Sequence, residues 1–290
     1  MDVHNEQGAP RQVGVVTPDA AQHSAFDLAL ATDIGTERDS NEDAFGYFVE
    51  SPSRVIFAVA DGVGGYEGGE VASRMAIDAT LAAYRASPTT WGVAKRLARA
   101  VQRANIEIHD RTLVVDELRR MATTLTAAAV FDGMLTAVHV GDCRLFRVRD
   151  GSIQQLTKDH TVLAARVRLG LLAKEDLRTH PERGTLTRCL GPELIAAVDR
   201  FATPLAQGDV IVIASDGLYV TLSEDDIATV VRERSAREAC QMMIELANRK
   251  GTSDNLTAAV FRQTAPVPEV PRAGLRAKLE ALLGAKFFGA

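Results

Sequence analysis

The stretch that most constrains the fold is Val55–Gly65, Val-Ile-Phe-Ala-Val-Ala-Asp-Gly-Val-Gly-Gly. Six apolar or small residues with β-branched and aromatic members read as a buried strand, and the Asp-Gly and Gly-Gly steps stop it abruptly. Asp61 is thereby held at the lip of a rigid core element. Gly62 beside it has no side chain to keep a ligand off the backbone. Two further apolar runs end in the same way, Val138-His139-Val140-Gly141-Asp142 and Val210-Ile211-Val212-Ile213-Ala214-Ser215-Asp216-Gly217. One acid after a strand is an ordinary turn residue. Three such endings, two of them Asp-Gly, point to strands that deliver carboxylates to one place.

At 290 residues and 46% hydrophobic content the chain can bury a sizeable core. Its net charge of −5 offers no electrostatic footprint for nucleic acid. Cys143, Cys189 and Cys240 are an odd number with no Cys-x-x-Cys spacing, which argues for a reducing compartment and against a disulfide framework or a zinc site. The N-terminus lacks a basic segment followed by an apolar one, and no run approaches ~18 consecutive apolar residues. A cytoplasmic protein is expected.

Residues 1–24 are polar and small and are expected to be a flexible leader. Strands are predicted at Phe26–Thr32, Ala44–Val49 and Arg54–Ala60, with a highly charged loop over Asp33–Asp43. Helices over Gly69–Arg85 and about Val93–Arg111 follow, from their apolar periodicity. Met121–Phe131, Met134–Val140, Cys143–Arg149 and Ser152–Leu156 read as an antiparallel meander. Thr157–Gly191 is irregular and reads as a helix-containing insertion or flap. Strands at Ile195–Phe201 and Asp209–Ala214, helices at Ser223–Val231 and Ala236–Asn248, and a last strand at Leu256–Phe261 complete a domain over residues 25–263. Residues 264–290 hold Pro266, Pro268 and Pro271 and then an amphipathic pattern, a stiff linker and a C-terminal helix. Strands in two runs, each followed by helices, predict an α+β fold with two antiparallel sheets face to face and helices on the outer faces.

Glu42, Asp43, Asp61, Asp142, Asp216 and Asp254 all fall in loops or at strand ends. Crowded carboxylates raise one another's pKa, and a divalent cation removes the conflict. Oxygen-only ligands select hard ions such as Mg²⁺ or Mn²⁺ over zinc. Ordinary turn acids and helix caps remain the alternative at each single position, and spacing alone does not prove that the set converges.

Five ordered motifs, Arg38-Asp-Ser-Asn-Glu42-Asp43, Asp61-Gly-Val-Gly-Gly65, Gly141-Asp142-Cys-Arg144, Ser215-Asp216-Gly217 and Gly251-Thr-Ser-Asp254-Asn255, resemble those of the metal-dependent serine/threonine protein phosphatases, the PPM or type 2C family, in its bacterial branch. Met121-Ala-Thr-Thr-Leu-Thr126 and Leu156-Thr-Lys-Asp-His160 also look like its members, and the likeness covers roughly residues 24–263. The resemblance implies a four-layer α-β-β-α sandwich with two Mn²⁺ or Mg²⁺ ions at one end. Asp61 would bridge the metals, the Gly62 carbonyl would bind one, and Asp216 and Asp254 would ligate the other. Glu42 and Asp43 would hold metal-bound waters, and Arg38 would take the phosphate oxygens, for which an Arg fork is well suited. The implied reaction is hydrolysis of phosphoserine and phosphothreonine by in-line attack of a metal-bridging hydroxide, opposing a protein kinase. The implied partners are phosphorylated proteins and a cognate Ser/Thr kinase, and the chain is expected to act as a monomer.

Three departures qualify this. Val63 stands where some relatives carry a His, so no general acid is evident there. Val220 stands where relatives place an Asp, which leaves a third metal absent or weak and leaning on Asp142. Cys143 replaces a usual Ser and reads as packing. His160 and His180 have no acid partner evident from the sequence and favour a structural role. Arg183 and Arg188 serve either an acidic phosphopeptide or solvation of the flap. A pseudophosphatase scaffold and a small-ester metallohydrolase are the rival functions, and the C-terminal helix either docks on a partner or membrane surface or packs back on its own domain.

Overall fold

Strand β4 (Arg54–Val63) is an interior strand of its sheet and is buried from Val55 to Ala60. Its alternate residues feed two different cores. Val55, Phe57 and Val59 point between the sheets, and Ile56, Ala58 and Ala60 point outward under helices. A strand covered on both faces reads as a continuous apolar run, and that is the pattern in the sequence. The computed structural model describes residues 14–18, 25–63, 68–173, 180 and 182–267. The expected C-terminal helix, most of the expected leader, and Gly64 and Gly65 lie outside the described residues.

The other strands are β1 (Gly14–Val16), β2 (Phe26–Asp33), β3 (Asp43–Ser51), β5 (Ala122–Thr123), β6 (Leu125–Phe131), β7 (Met134–Val140), β8 (Arg144–Arg149), β9 (Ser152–Gln155), β10 (Asp199–Pro204), β11 (Val210–Ala214) and β12 (Leu256–Gln263). They form two six-membered antiparallel systems, β1-β2-β12-β11-β8-β9 and β10-β7-β6-β4-β3 with β5 added to the end of β4. Helices α1 (Gly68–Ala86) and α2 (Val93–Val114) cover the outer face of the second sheet. Helices α5 (Glu224–Arg232) and α6 (Ala236–Lys250) cover that of the first, giving the expected α-β-β-α layering. Both α5 and α6 start on capping boxes, Ser223 with Asp226 and Ser235 with Glu238. These reciprocal bonds satisfy N–H groups that the first helical turn leaves unpaired. Among the described residues no helix is long and apolar enough to cross a membrane.

Four features differ from the sequence expectation. Gly14–Val16, inside the expected leader, pairs with β2 as an edge strand, Gly14 opposite Thr32; three residues are too short for periodicity to register. The strand expected at Ile195–Phe201 begins instead at Asp199 and runs to Pro204. Pro204 is tolerated because β10 is an edge strand, and Ile195 belongs to a loop tied to α2, where Asn105 donates to the Glu193 and Leu194 carbonyls. A short helix, α4 (Asp216–Thr221), starts directly after β11 and is not expected, whereas α3 (Val162–Arg168) lies inside the 157–191 insertion. The linker expected from residue 264 remains attached at first: the Thr264 and Ala265 N–H groups both donate to the Ala25 carbonyl, and Val267 sits against Gly133.

Between the sheets Phe57 is fully buried and stacks on Phe261 of the opposite sheet, ring centroids 5.7 Å apart and planes at 6°. Phe57→Ala leaves a cavity that neither sheet can close, and urea denaturation should show a loss of about 3–5 kcal/mol. A loss under ~1 kcal/mol would mean that the interface is not the common core of the two sheets.

Candidate active site

The register of two adjacent strands sets the first pair of acids. Asp43 at the start of β3 lies directly opposite Asp61 near the end of β4. Like charges in that arrangement repel, so the pair needs a compensating partner. The Asp61 backbone is held from the other side by β5 and β6. Its carbonyl accepts from the Thr124 N–H at 2.8 Å and the Thr123 hydroxyl at 2.9 Å, and its N–H donates to Thr124 Oγ1 at 3.0 Å. Next along, the Gly62 N–H donates to the Glu42 carbonyl at 3.0 Å. A Cβ at Gly62 would run into the Gly69 carbonyl and come within 2.7 Å of the Glu42 carbonyl oxygen, so only glycine fits.

The charged loop after β2 is shaped by Asn255, which is buried before β12. Its Oδ1 accepts from the Glu42 N–H at 2.9 Å, and its Nδ2 donates to the Ile34 and Ser40 carbonyls at 2.9 and 3.0 Å. Asp254, one residue earlier, accepts from Arg38 Nη2 at 2.8 Å. Arg38 is thus bonded to Asp254 and not to the neighbouring Asp39 or Glu42. The Glu42 carboxylate packs against Gly69 at the start of α1, where a Cβ would meet it at 2.7 Å.

Electrostatic coupling shows which acids share this end of the sandwich. Burial first, then the charges of Asp43, Asp216, Asp142 and Asp254, hold the Asp61 carboxyl well above the usual range. Asp43 is pushed up to about 7 by burial, against the Thr257 and Ser215 hydroxyls, which hold it down, with Asp216 and Asp254 adding to the rise. Asp216 is raised to about 6 by burial and Asp254. Asp142 is raised well above its usual value by burial, Asp216 and Asp159. Glu42 is raised by burial against the pull of Arg38. The structure therefore brings Arg38, Glu42, Asp43, Asp61, Gly62, Asp142, Asp216 and Asp254 to one end of the molecule.

The flanking residues are placed as follows. Val63 is 39% exposed beside Gly62. Val220, on α4, packs partly against the outer core and lines the same small pocket as Asp142, Asp216 and Arg183. Cys143 is buried, its thiol pushed well up by burial and by Asp61 and Asp43, so it stays protonated. Arg144 stacks 3.8 Å above the Tyr219 ring and bonds Asp159 at 2.7 Å. His160 differs from the sequence expectation, because it has an acid partner: its Nε2 lies 3.2 Å from Asp199 Oδ2. Arg188 bonds the other oxygen of Asp199 at 3.0 Å. Asp199 is distant in sequence and on an edge strand whose start the pattern misplaces. The His180 ring accepts the Glu182 N–H at 3.2 Å, and its carbonyl accepts the Arg183 N–H. Asn255 and Thr124 are positioning residues to which sequence reasoning gave no role of their own, although both stand inside motifs quoted above.

A hard divalent cation fits the donors that converge here. All are oxygens, and Asp43 Oδ2 is buried with no hydrogen-bond partner. The raised acids would become anionic in the presence of a cation. Among the described residues no three His, Cys, Asp or Glu side chains are grouped so that they could hold a metal ion. Ions at this end of the sandwich would therefore need the Gly62 carbonyl and water among their ligands, as Mg²⁺-like ions, which keep several waters, allow.

The protein phosphatase 2C family pattern matches residues 36–261. The Serine/threonine phosphatase stp of Listeria welshimeri is 33% identical over 236 residues, which are 80% of this chain and 94% of that protein. The crystal structure of the Mycobacterium tuberculosis serine/threonine phosphatase PstP/Ppp is similar with a TM-score of 0.76 at 31% identity, covering 83% of this chain and all of that one. The catalytic domain of PstP in complex with two manganese ions is similar with a TM-score of 0.73 at 30% identity, covering 83% of this chain and 99% of that one.

Carboxyls raised by folding bind more protons in the folded than in the unfolded chain between their ordinary pKa and the raised one. Their favourable share of stability is complete below about pH 4 and is lost as pH rises through the raised values, about 6 for Asp216 and about 7 for Asp43. Without divalent ions the melting temperature should therefore fall between pH 5 and pH 7.5, and Asp43→Asn should flatten that slope. Millimolar Mn²⁺ at pH 7.5 should raise it by about 5 °C or more. A metal-free protein whose melting point does not respond to pH or to Mn²⁺ would show that these acids are not mutually coupled.

Proposed function

The chain belongs to the protein phosphatase 2C family, and on that premise we propose that it releases phosphate from phosphoserine and phosphothreonine in proteins with the help of two Mn²⁺ or Mg²⁺ ions. The observation that carries this reading is the Asp43–Asp61 pair, Asp43 buried and Asp61 half-buried, joined by Asp216 and left with an unpartnered oxygen on Asp43.

Asp61, Asp216, Asp254 and the Gly62 carbonyl would hold the ions, while Glu42 and Asp43 orient water beside them. Ions bound there would offset the acids' charge, neutralise phosphoryl oxygens and lower the pKa of water toward neutrality. Arg38 receives the phosphate. Its bond to Asp254 joins partners whose side chains are 46% and 34% exposed, so the pair is worth only about 0–1 kcal/mol and exchanges readily for a phosphate dianion. The Arg fork then spans two phosphate oxygens and turns the ester for in-line attack. Val63 provides no imidazole near the leaving group, so the departing alkoxide takes its proton from water. With Val220 in place of an acid, Asp142 alone would favour a third ion and would hold it weakly.

Phosphoprotein substrates require a serine/threonine kinase upstream. Cys143, Cys189 and Cys240 are all free, which supports a reducing, cytoplasmic setting. The catalytic unit spans residues 25–263 and acts as a monomer.

Purified protein should release phosphate from a phosphothreonine peptide with Mn²⁺ and stop when a chelator is added. Asp61→Asn and Asp216→Asn should each lower turnover by roughly 10²-fold or more at saturating Mn²⁺, the scale on which removing one preorganised charge acts, with the fold retained. Turnover by metal-stripped protein, or near-normal rates in either variant, would reject this assignment.

A further inference from the structure

We infer that His160 is a positioning residue whose imidazole holds the Gly141–Asp142 turn in place and so aligns Asp142 with Asp61. This deepens the reading of the acid centre given above and rests on it. His160 is buried, 3% exposed. It grips Gly141 twice: its backbone N–H donates to the Gly141 carbonyl at 2.8 Å, and its Nδ1 accepts from the Gly141 N–H at 3.2 Å. An acceptor at Nδ1 carries no proton, so the proton of the neutral ring sits on Nε2. There it donates to Asp199 Oδ2 at 3.2 Å. Arg188 lies 3.3 Å from the same nitrogen, and its bond is to the other oxygen of Asp199. The His139 ring closes the remaining side, centroids 4.8 Å apart.

Gly141 cannot move away from this grip without cost. Its φ is +102°, and a Cβ there would run into the Thr124 side chain and approach the Thr124 Cα at 3.0 Å. Thr124 is the residue that accepts the Asp61 N–H and donates its own N–H to the Asp61 carbonyl. The turn is therefore wedged between His160 on one side and the strand that clamps Asp61 on the other. If Nδ1 is lost, the Gly141 N–H becomes a buried donor without an acceptor, which a chain avoids by shifting the turn. Asp142 moves with it. His160 also receives the Thr187 N–H on its carbonyl at 2.7 Å, so the outgoing and returning limbs of the 157–191 insertion meet at this residue.

Two substitutions separate the two ends of the ring. In His160→Asn the amide oxygen takes the place of Nδ1 and keeps the bond to Gly141, while the contact with Asp199 is lost. In His160→Gln the amide nitrogen takes the place of Nε2 and keeps Asp199, while the acceptor for Gly141 is lost. With a phosphothreonine peptide and Mn²⁺, kcat should fall about tenfold or more in the Gln variant, since sub-ångström misplacement costs that order, with KM within about threefold. The Asn variant should recover to within about threefold of the unmodified protein. In the metal-free proteins, amide exchange at Gly141 should be fast in the Gln variant and slow in the Asn variant, a readout independent of turnover.

Equal losses in both variants, or none in either, overturn the positioning role. Should the Gln variant not fold, a folded Asn variant with a protected Gly141 amide and retained kcat supports the role. An Asn variant with the Gly141 amide exposed or kcat down tenfold rejects it. Asp61→Asn measured alongside keeps the two ideas apart: full activity there rejects the acid centre, whereas its loss with both His160 variants unaffected rejects only the inference about His160.

Discussion

The rest of the structure depends on a repulsion held in place. Asp43 and Asp61 face each other across adjacent strands, and Asp216 and Asp142 add their charges from other turns. Taking carboxylates out of water costs several kcal/mol each, and nearby like charges increase that cost. Only a scaffold that does not relax can keep them together. The sandwich is such a scaffold because β4 is buried on both faces, with Phe57 stacked on Phe261 inside and Ala58 and Ala60 under the helices outside. Stability gained in the core is thus offset at the strand ends, where the acids are.

The groups that organise the acids are mostly uncharged. Asn255 shapes the loop carrying Glu42, Thr124 fastens the Asp61 backbone, and His160 grips Gly141. A second buried cation in these places would compete with a metal ion for the carboxylates and quench the field that makes them useful. Arginines stand at the rim instead. Arg38 is half exposed on Asp254, and Arg144 is occupied by Asp159 and the Tyr219 ring. The interior of the site is negative and its edge positive, an arrangement suited to gathering cations inside and a phosphate dianion from outside.

Much of this was legible in the residues. A strand buried on both faces announces itself as an unbroken apolar run, and β4 and β11 do so. Asp-Gly steps then mark where each run stops, which locates Asp61 and Asp216 at strand ends without further information. Helices α5 and α6 carry their start signals in Ser223 and Ser235. Short or edge elements were illegible for a physical reason: β1 has three residues, β10 tolerates Pro204, and neither buries a whole face that would impose a period.

The sequence by itself determined the chemistry of the site, because the identity of the acids and their attachment to strand ends follow from local pattern. It could not determine which acid faces which. The Asp43–Asp61 pairing is set by strand register, and the Arg38–Asp254 bond and the Asn255 clamp join residues more than two hundred positions apart. Nor could it find the acid partner of His160, since Asp199 reaches that ring only once β10 has added to the edge of β7. Local propensity acts over a few residues, whereas these contacts exist only after two sheets have closed on a common core. That closure, and not any single motif, turns scattered turn acids into one coupled centre.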